Sequence, residues 1–469
     1  MGGEREMVAV GKVCVMDSVV ARQRDFFASG ATKSFSFRAM MLRRLARAVS
    51  DREADILEAL GRDLGRSRVA GYSTEIAPSL AEIRYARKNL RRWIKPRRVA
   101  GSRWFPLSRG SVVSEPLGVC LIISPWNYPF LLAMTPLVGA VAAGNCAILK
   151  PSEISSHTER VIAQLVSESF DPEYITVVAG GPDVSQALLR RRFDYIFFTG
   201  GQRVGRSVMQ AAAEHTTPVT LELGGKSPCV VAEDCDMEKT ARRITWGKFL
   251  NAGQTCVAPD YLLVHRTVKD ELIARMTRCI EAFYGADPRE SHDYGRIVSA
   301  SHFERLQGLL QGHKVIFGGQ ADRESLYIAP TLVEAIGHGQ RIMEEEIFGP
   351  ILPILEFDRI AEAIALINQR PKPLALYLFS GRRDIQRQVI AETSSGGVCI
   401  NDTVVHLTPP TLPFGGVGAS GFGRYHGRAG FDTFSNQKSV LRQTLLFDLP
   451  KRFPPTRQED LKVLRYMLR

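Results

Sequence analysis

The chain has 469 residues, 45% hydrophobic and 23% charged, with 40 glycines and 25 prolines dispersed along it. That length suits two or three domains, and the composition excludes collagen-like, low-complexity and repeat architectures. The net charge of +12 raises nucleic-acid binding, but the arginine groups (43, 44 and 47; 91, 92, 97 and 98; 190 to 192) lack aromatic interleaving or zinc-finger spacing, so solvated helix faces and anionic ligands are the simpler reading.

In chain order, the N-terminus has no apolar signal core, and Glu6 stands where the myristoylation pattern after Gly2 wants Ser or Thr. Residues 36–64 carry helical periodicity and predict a buried stripe of Leu42, Leu45, Val49, Ile56, Leu57, Leu60 and Leu64. An arginine-rich helix, "LAEIRYARKNLRRWIK", stops at Pro96. Then the rhythm changes. "GVCLIIS" (118–124), "CAILK" (146–150), "YITVVAG" (174–180), "YIFFTG" (195–200) and "VTLELGG" (219–225) are short apolar runs, each about one helix apart. That pattern predicts a parallel sheet covered on both faces.

A second alternation starts with "PCVVAE" (228–233). Asp236 and Thr267 are predicted N-caps of the helices that follow this strand and "YLLVHR" (261–266). "YIAPTLVEA", "ILPILEF", "LALYLFS" and "GGVCIND" supply further strands, and "LPFGGVGASGFGRYHG" (412–427) reads as a structured loop. The fold class is therefore α/β, in two units joined near 218–228. The tail "EDLKVLRYMLR" reads as a short basic amphipathic helix or, as the plainer expectation, a terminal helix docked on the body. No run of about 18 apolar residues is present, and none of the eight cysteines (14, 120, 146, 229, 235, 256, 279, 399) forms a CxxC pair. That cysteine usage fits a reducing compartment, and a cytoplasmic location is expected.

Five segments carry candidate chemistry. In "ISPWNYPF" (123–130) a rigid turn displays Asn127, whose amide donates without titrating and suits an oxyanion hole; an Asn turn is the plain alternative. In "ILKPSE" (148–153) Lys150 and Glu153 follow a buried strand, placed either for a ribose or as a surface ion pair. In "FFTGGQRVGR" (197–206) Thr199, Gly200 and Gly201 form a strand-to-helix turn that admits a phosphate, or is an ordinary tight turn. Glu222 lies inside the apolar strand of "LELGGKSP" (221–228), where a glutamate is either paired or at an edge, or, if partly buried, has its pKa raised toward that of a neutral-pH base. In "NAGQTCVAPDY" (251–261) Cys256 sits among Gly253, Gln254, Thr255 and Pro259, a loop setting unlike those of the other cysteines.

Taken in this order, with "EEIFGP" (345–350), these segments resemble the aldehyde dehydrogenase superfamily from about residue 30 to about 445. "GQTCVAPDY", "PWNYPF", "LKPSE" and "FGGVGASGFGRYHG" are similar to its class 3 branch, as is Pro136 where many other branches carry lysine. The resemblance implies a Rossmann-like NAD(P)-binding domain (1–87 and 113–221), a second α/β catalytic domain (222–402), a small bridging and oligomerisation region (88–112 and 403–445) and a C-terminal tail (446–469), assembled as a homodimer. It implies oxidation of an apolar aldehyde, aliphatic, fatty or aromatic, through a cysteine thiohemiacetal and thioester. NAD is the expected cofactor and NADP the alternative; no metal, nucleic acid or transmembrane segment is expected.

The resemblance further implies that Cys256 is the nucleophile, Asn127 the oxyanion donor and Glu222 the base for thioester hydrolysis. Lys150 and Glu153 would meet the adenosine ribose, Thr199, Gly200 and Gly201 the pyrophosphate, and Glu346 and Phe348 the nicotinamide ribose and ring. Tyr128 and Phe414 would wall the aldehyde. One departure is Thr-Gly-Gly at 199–201 where many members read Thr-Gly-Ser, which removes a hydroxyl donor and leaves backbone N–H groups. A CoA-acylating dehydrogenase is the near alternative. A cysteine hydrolase or acyltransferase lacks a histidine in any motif tied to Cys256, and a non-enzymatic binding role would leave the Cys256, Glu222 and Asn127 set unexplained.

Overall fold

The computed structural model describes residues 16–100, 107–335, 339–446, 448, 453–455 and 457–467. Gly2, Glu6 and Cys14 lie outside the described residues. The chain begins with helix α1 (residues 16–28), α2 (Phe35–Asp51), α3 (Glu53–Leu64) and α4 (Arg68–Gly71), a π-helical turn (Tyr72–Ile76), and α5 (Ala77–Trp93). All seven predicted stripe residues between 42 and 64 are buried. The single periodic run is nevertheless two helices. Arg52 (φ −107°, ψ 17°) leaves helical geometry between them, and its guanidinium bonds Asp55 and, across the fold, Glu168.

Strands β1 (Arg97–Val99) and β2 (Arg109–Pro116) come next, followed by the first buried set: β3 (Val119–Ile123), β4 (Cys146–Lys150), β5 (Ile175–Val177), β6 (Tyr195–Gly200) and β7 (Val219–Leu223). Helices α6 (Leu131–Ala143), α7 (Ser156–Ser169), α8 (Pro182–Leu189) and α9 (Gln202–Glu214) connect them. Every residue of β3, β4 and α6 is buried, which explains their unbroken apolar sequences. The second set is β8 (Pro228–Val231), β9 (Tyr261–His265), β10 (Lys314–Phe317), the β11 and β12 pair (Ala321–Asp322, Tyr327–Ile328), β13 (Thr331–Glu334), β14 (Ile351–Phe357), β15 (Ala375–Phe379) and β16 (Gly397–Ile400). Between β8 and β10 lie α10 (Met237–Phe249), α11 (Lys269–Tyr284) and α12 (Ala300–Leu310).

The first sheet has the order β17-β7-β6-β3-β4-β5, where β17 is the two-residue strand Gly421–Phe422, and all neighbours but β17 and β7 are parallel. From β3 the chain adds β4 and β5 on one side, then returns to add β6 and β7 on the other. The crevice at the C-terminal ends of β3 and β6 is thus the switch point where α/β sheets receive ligands. The second sheet, β10-β13-β14-β9-β8-β15-β16, is parallel except at β10. A third sheet pairs β1 and β18 (Ser435–Arg442) with β2, all antiparallel.

Asp236 caps α10 as predicted, accepting from the Lys239 N–H at 3.1 Å. Thr267 does not cap α11. A 3₁₀ turn (Arg266–Val268) intervenes, and the Thr267 hydroxyl lies 2.8 Å from His265 Nδ1. The tail does form a helix, Asp460–Met467, in which Leu461 and Tyr466 are exposed. No helix among the described residues is long and apolar enough to cross a membrane.

The glycine-rich segment 412–427 is tied to α5 through Glu82, whose buried carboxylate accepts from the Gly427 N–H at 2.6 Å. His426 Nδ1 is 3.8 Å from Glu82 Oε2, but burial pushes that imidazole down to about 4, so it is neutral and gives Glu82 no cation. Burial accordingly pushes Glu82 up from 4.5 to about 7, with the Gly427 bond as partial offset. The folded chain therefore holds this proton where the unfolded chain has lost it, and the contribution to stability is present below pH 4.5 and lost as pH rises from 4.5 to about 7. Chemical denaturation of Glu82→Gln at pH 5 and pH 7.5 should show a fall in stability smaller than in the parent, by on the order of 3 kcal/mol; an identical fall would exclude Glu82 as its source.

Candidate active site

The cysteine loop is built by an unusual exit from α10. Residues Leu250–Gly253 make a tight turn in which Asn251 (φ 54°, ψ 35°) and Ala252 (φ 51°, ψ 36°) adopt the left-handed conformation that side chains disfavour. Side-chain hydrogen bonds hold it. Asn251 Nδ2 donates to the carbonyls of Asn127 (2.9 Å) and Gln254 (3.1 Å). Gln254 Nε2 donates to the carbonyls of Asn251 (3.0 Å) and Arg296 (2.9 Å), and its Oε1 accepts from the Val298 N–H at 2.9 Å. Gly253 (φ 74°) lies against the Gly349 carbonyl so closely that a Cβ would overlap it. These contacts seat Cys256 in the wall of a cavity of about 870 Å³.

Asn127 reaches the same cavity from the turn after β3. One hydrogen of its amide goes to the Gln254 carbonyl at 3.1 Å, leaving the second for a ligand. The main-chain carbonyl of Asn127 accepts from Asn251 and from Arg66 Nη2. Arg66 also donates through Nε to Asn251 Oδ1 at 3.0 Å and through Nη1 to the buried carboxylate of Glu75. The other Glu75 oxygen accepts the Phe130 and Leu131 N–H groups, both at 2.9 Å, at the start of α6. Sequence reasoning missed this pair. Neither residue stands in a recognisable motif, and the π-helical turn carrying Glu75 has no sequence signature.

Glu222 arrives on β7, in register with Thr199 on β6. It is 3% exposed, and neither carboxyl oxygen closes a hydrogen bond of ordinary geometry. Burial pushes its pKa well up; the charge of Arg424 and the nearby Gly416 N–H offset this only in part. The Cys256 thiol is pushed up to about 12, by burial first and then by the carboxyls of Glu346 and Glu222, against the pull of the Cys256 and Val257 N–H groups. The protein alone therefore keeps this cysteine as a thiol.

At the nucleotide end, β6 runs through Thr199 and Gly200 into α9. Gly201 occupies the N-cap without any side-chain cap, and a side chain there would meet open space. The first N–H groups of this 13-residue helix are thus free for an anion. The Thr199 hydroxyl is buried without a partner. The Glu346 carboxyl packs on Gly224, where a Cβ would collide with it; burial and Asp260 push it up to about 8, with the Gly225 N–H, Lys226 and Arg305 opposing. An uncapped helix, an orphaned hydroxyl and a carboxyl over a glycine cradle fit a dinucleotide. Phe348 (φ 53°) is held in the left-handed region. His302, kept neutral by burial and by Arg305, bonds its carbonyl through Nε2 at 2.8 Å, and Trp126 stands edge-on to both rings. Arg305 donates to the carbonyls of Glu346 (3.2 Å) and Ile347. His302 and Arg305 were not found from sequence, and Trp126 stood inside a quoted motif without a role.

Lys150 and Glu153 sit apart from the cavity lining, at the end of β4. Lys150 Nζ donates to Glu153 at 2.7 Å and to the Pro151 carbonyl at 2.9 Å. At the opposite end, Tyr128 clusters with Leu131 and Leu132, and its hydroxyl lies 2.7 Å from Thr255 Oγ1. The Arg66 guanidinium lies 4.3 Å from the Tyr128 ring centre. Phe414 faces them, paired through its backbone to Tyr425, with their rings 5.7 Å apart. Trp246, Leu250 and Val405 complete an apolar wall. The cavity lining thus gathers ten of the twelve sequence-predicted site residues. No cluster of three or more metal-ligating side chains occurs among the described residues.

Comparison with known proteins gives this arrangement its family. The model of the aldehyde dehydrogenase family matches residues 8–440. The chain is 49% identical over 434 residues to 4,4'-diaponeurosporen-aldehyde dehydrogenase of Staphylococcus aureus, covering 92% of this chain and 95% of that protein. It is 47% identical over 443 residues to the dimeric NADP-preferring aldehyde dehydrogenase of Rattus norvegicus, covering 94% and 98%. The substrate-bound structure of Staphylococcus aureus AldH shares the fold with a TM-score of 0.94 at 47% identity, covering 97% and 99%. The chain therefore belongs to the aldehyde dehydrogenase family, on its family 3 side, and is an NAD(P)-dependent enzyme that oxidises aldehydes to carboxylic acids.

Proposed function

We propose that Cys256 is the nucleophile, Asn127 the oxyanion donor and Glu222 the base. The observation that carries this reading is the convergence of a thiol, a half-used amide and an unpartnered buried carboxyl, from three separate elements, on one cavity. Cys256 gives up its proton to the ionised form of Glu222, which releases it to solvent, and the sulfur attacks the aldehyde carbon. The oxyanion formed is met by the free hydrogen of the Asn127 amide and by the Cys256 N–H. Bound NAD(P) supplies the hydride acceptor that converts the thiohemiacetal on Cys256 into a thioester. Glu222, once ionised, takes a proton from the water that hydrolyses this thioester. A carboxyl with raised proton affinity is a stronger base than an ordinary one, which is what deacylation near neutral pH requires.

The cofactor would rest its pyrophosphate on the Thr199-Gly200-Gly201 turn and the start of α9, with Glu346 and Phe348 at the nicotinamide ribose and ring. Lys150 and Glu153 are proposed for the adenosine ribose; a carboxylate there accepts from the 2′ hydroxyl and favours NAD over NADP. Tyr128 and Phe414 would flank an apolar substrate. The proposed division places the nucleotide domain in 1–87 and 113–221, the catalytic domain in 222–402, the bridging region in 88–112 and 403–445 and the tail in 446–469. A cytoplasmic homodimer is the proposed form. The exposed Val99 and Leu441 on the third sheet and the name of the dimeric rat relative support the dimer.

Cys256→Ala should abolish aldehyde-dependent formation of reduced cofactor while calorimetry still detects NAD binding; residual turnover near the parent rate would sink the nucleophile. Glu222→Gln should give one rapid turnover followed by slow hydrolysis, with steady-state kcat down by about 10²–10⁴. A change in cofactor affinity alone would contradict the base assignment. In the cofactor-free protein, alkylation of Cys256 by iodoacetamide should keep rising by about tenfold per pH unit past pH 10, because only the thiolate reacts. A plateau below pH 9 would show that the surroundings favour the thiolate.

A further inference from the structure

We propose that Arg66 is a positioning residue for the reaction, aiming the Asn127 amide and seating the cysteine loop from a single buried point. The proposal rests on the reading of Asn127 as the oxyanion donor. Arg66 is absent from the lining of the main cavity, so it acts through others. Each of its nitrogens serves a different acceptor. Nη1 meets Glu75, Nη2 the Asn127 carbonyl and Nε the Asn251 side chain. A planar guanidinium presents donors from separate nitrogens along fixed in-plane directions, whereas a lysine ammonium offers its three donors from a single point and loses that fork.

The bonds close into a ring around the reacting groups. Asn251, oriented by Arg66, donates to the Asn127 carbonyl at 2.9 Å, so that carbonyl is held from two sides. Asn251 also donates to the Gln254 carbonyl at 3.1 Å, the same oxygen that receives the Asn127 amide at 3.1 Å. Gln254 stands two residues before Cys256. Donor and nucleophile therefore share one frame with Arg66 at its corner. An ion pair serving stability alone would be satisfied by Glu75; here two of the three nitrogens are directed to the segments that carry Asn127 and Cys256. Misplacing a reacting or stabilising group by about 1 Å costs roughly 10²-fold in rate, which sets the scale of the expected effect.

A double-mutant cycle separates positioning from stability. Arg66→Lys retains a charge for Glu75 and loses the fork. It should lower kcat for aldehyde oxidation by about 10–100-fold while changing the cofactor KM by less than about threefold. In the Asn127→Ala background the same substitution should cost less than about threefold, because no amide remains to be aimed. Losses that multiply in the double variant, or a parent-like kcat in a folded Arg66→Lys protein, overturn the proposal. Parent-like turnover by Asn127→Ala alone overturns the oxyanion reading instead, and this proposal with it. If Arg66→Lys does not fold, Asn251→Ala leaves the Arg66–Glu75 pair in place and removes its relay to Asn127. It enters the same cycle with the same expectation, and multiplying losses there overturn the proposal equally.

Discussion

The site depends on a charge pair that never meets the solvent. Arg66 and Glu75 lie nine residues apart, on either side of a short helix, and their side chains are 3% and 0% exposed. Charges are buried at a large desolvation cost, which is offset only when their remaining hydrogen-bonding capacity is filled. Here it is filled by the parts of the chain that must be fixed: the start of α6, the Asn127 turn and the Asn251 side chain. Removing one partner of such a pair typically costs about 3–5 kcal/mol, enough to hold the left-handed backbone at Asn251 and Ala252. Local strain in the cysteine loop and burial of an ion pair in the helical layer are thus two sides of one arrangement.

Around that anchor, topology does the gathering. Parallel strands end on the same side of the sheet, so Asn127 after β3, Thr199 at the end of β6 and Glu222 on β7 emerge near one another despite separations of up to 95 residues. Cys256 comes from a helix exit in the second unit. The near contact of Gly253 with Gly349 places the cysteine loop against the loop that carries Glu346 and Phe348. That close backbone approach, together with the side-chain bonds of Asn251 and Gln254, positions the nucleophile relative to both ends of the cavity.

Much of this was legible in the sequence because it rests on local signals. "CAILK", "YIFFTG" and "ILPILEF" coincide with β4, β6 and β14, since unbroken apolar runs of that length have few other places to go. The cysteine stood out because its neighbours are small and turn-forming. The Arg66–Glu75 pair, the His302 bond to Phe348 and the Arg305 bonds to its loop were not legible: each joins residues distant in chain or hidden in ordinary helical composition, and only the fold makes them partners. The break at Arg52 escaped because the buried stripe continues across it. Thr267 misled because a capping side chain was offered a histidine two residues away. The thiol pKa depends on burial among carboxyls, which no spacing reveals.

The glycine-rich segment has a further consequence for the carboxyl it covers. Its strand β17 contributes only two register pairs, Gly421 opposite Glu222 and Phe422 opposite Leu221, at the edge of the first sheet. Edge pairings this short open at far lower cost than the sheet interior. The main chain of Glu222 is thus paired with the parallel strand β6 on one side and with the shortest strand of the sheet on the other.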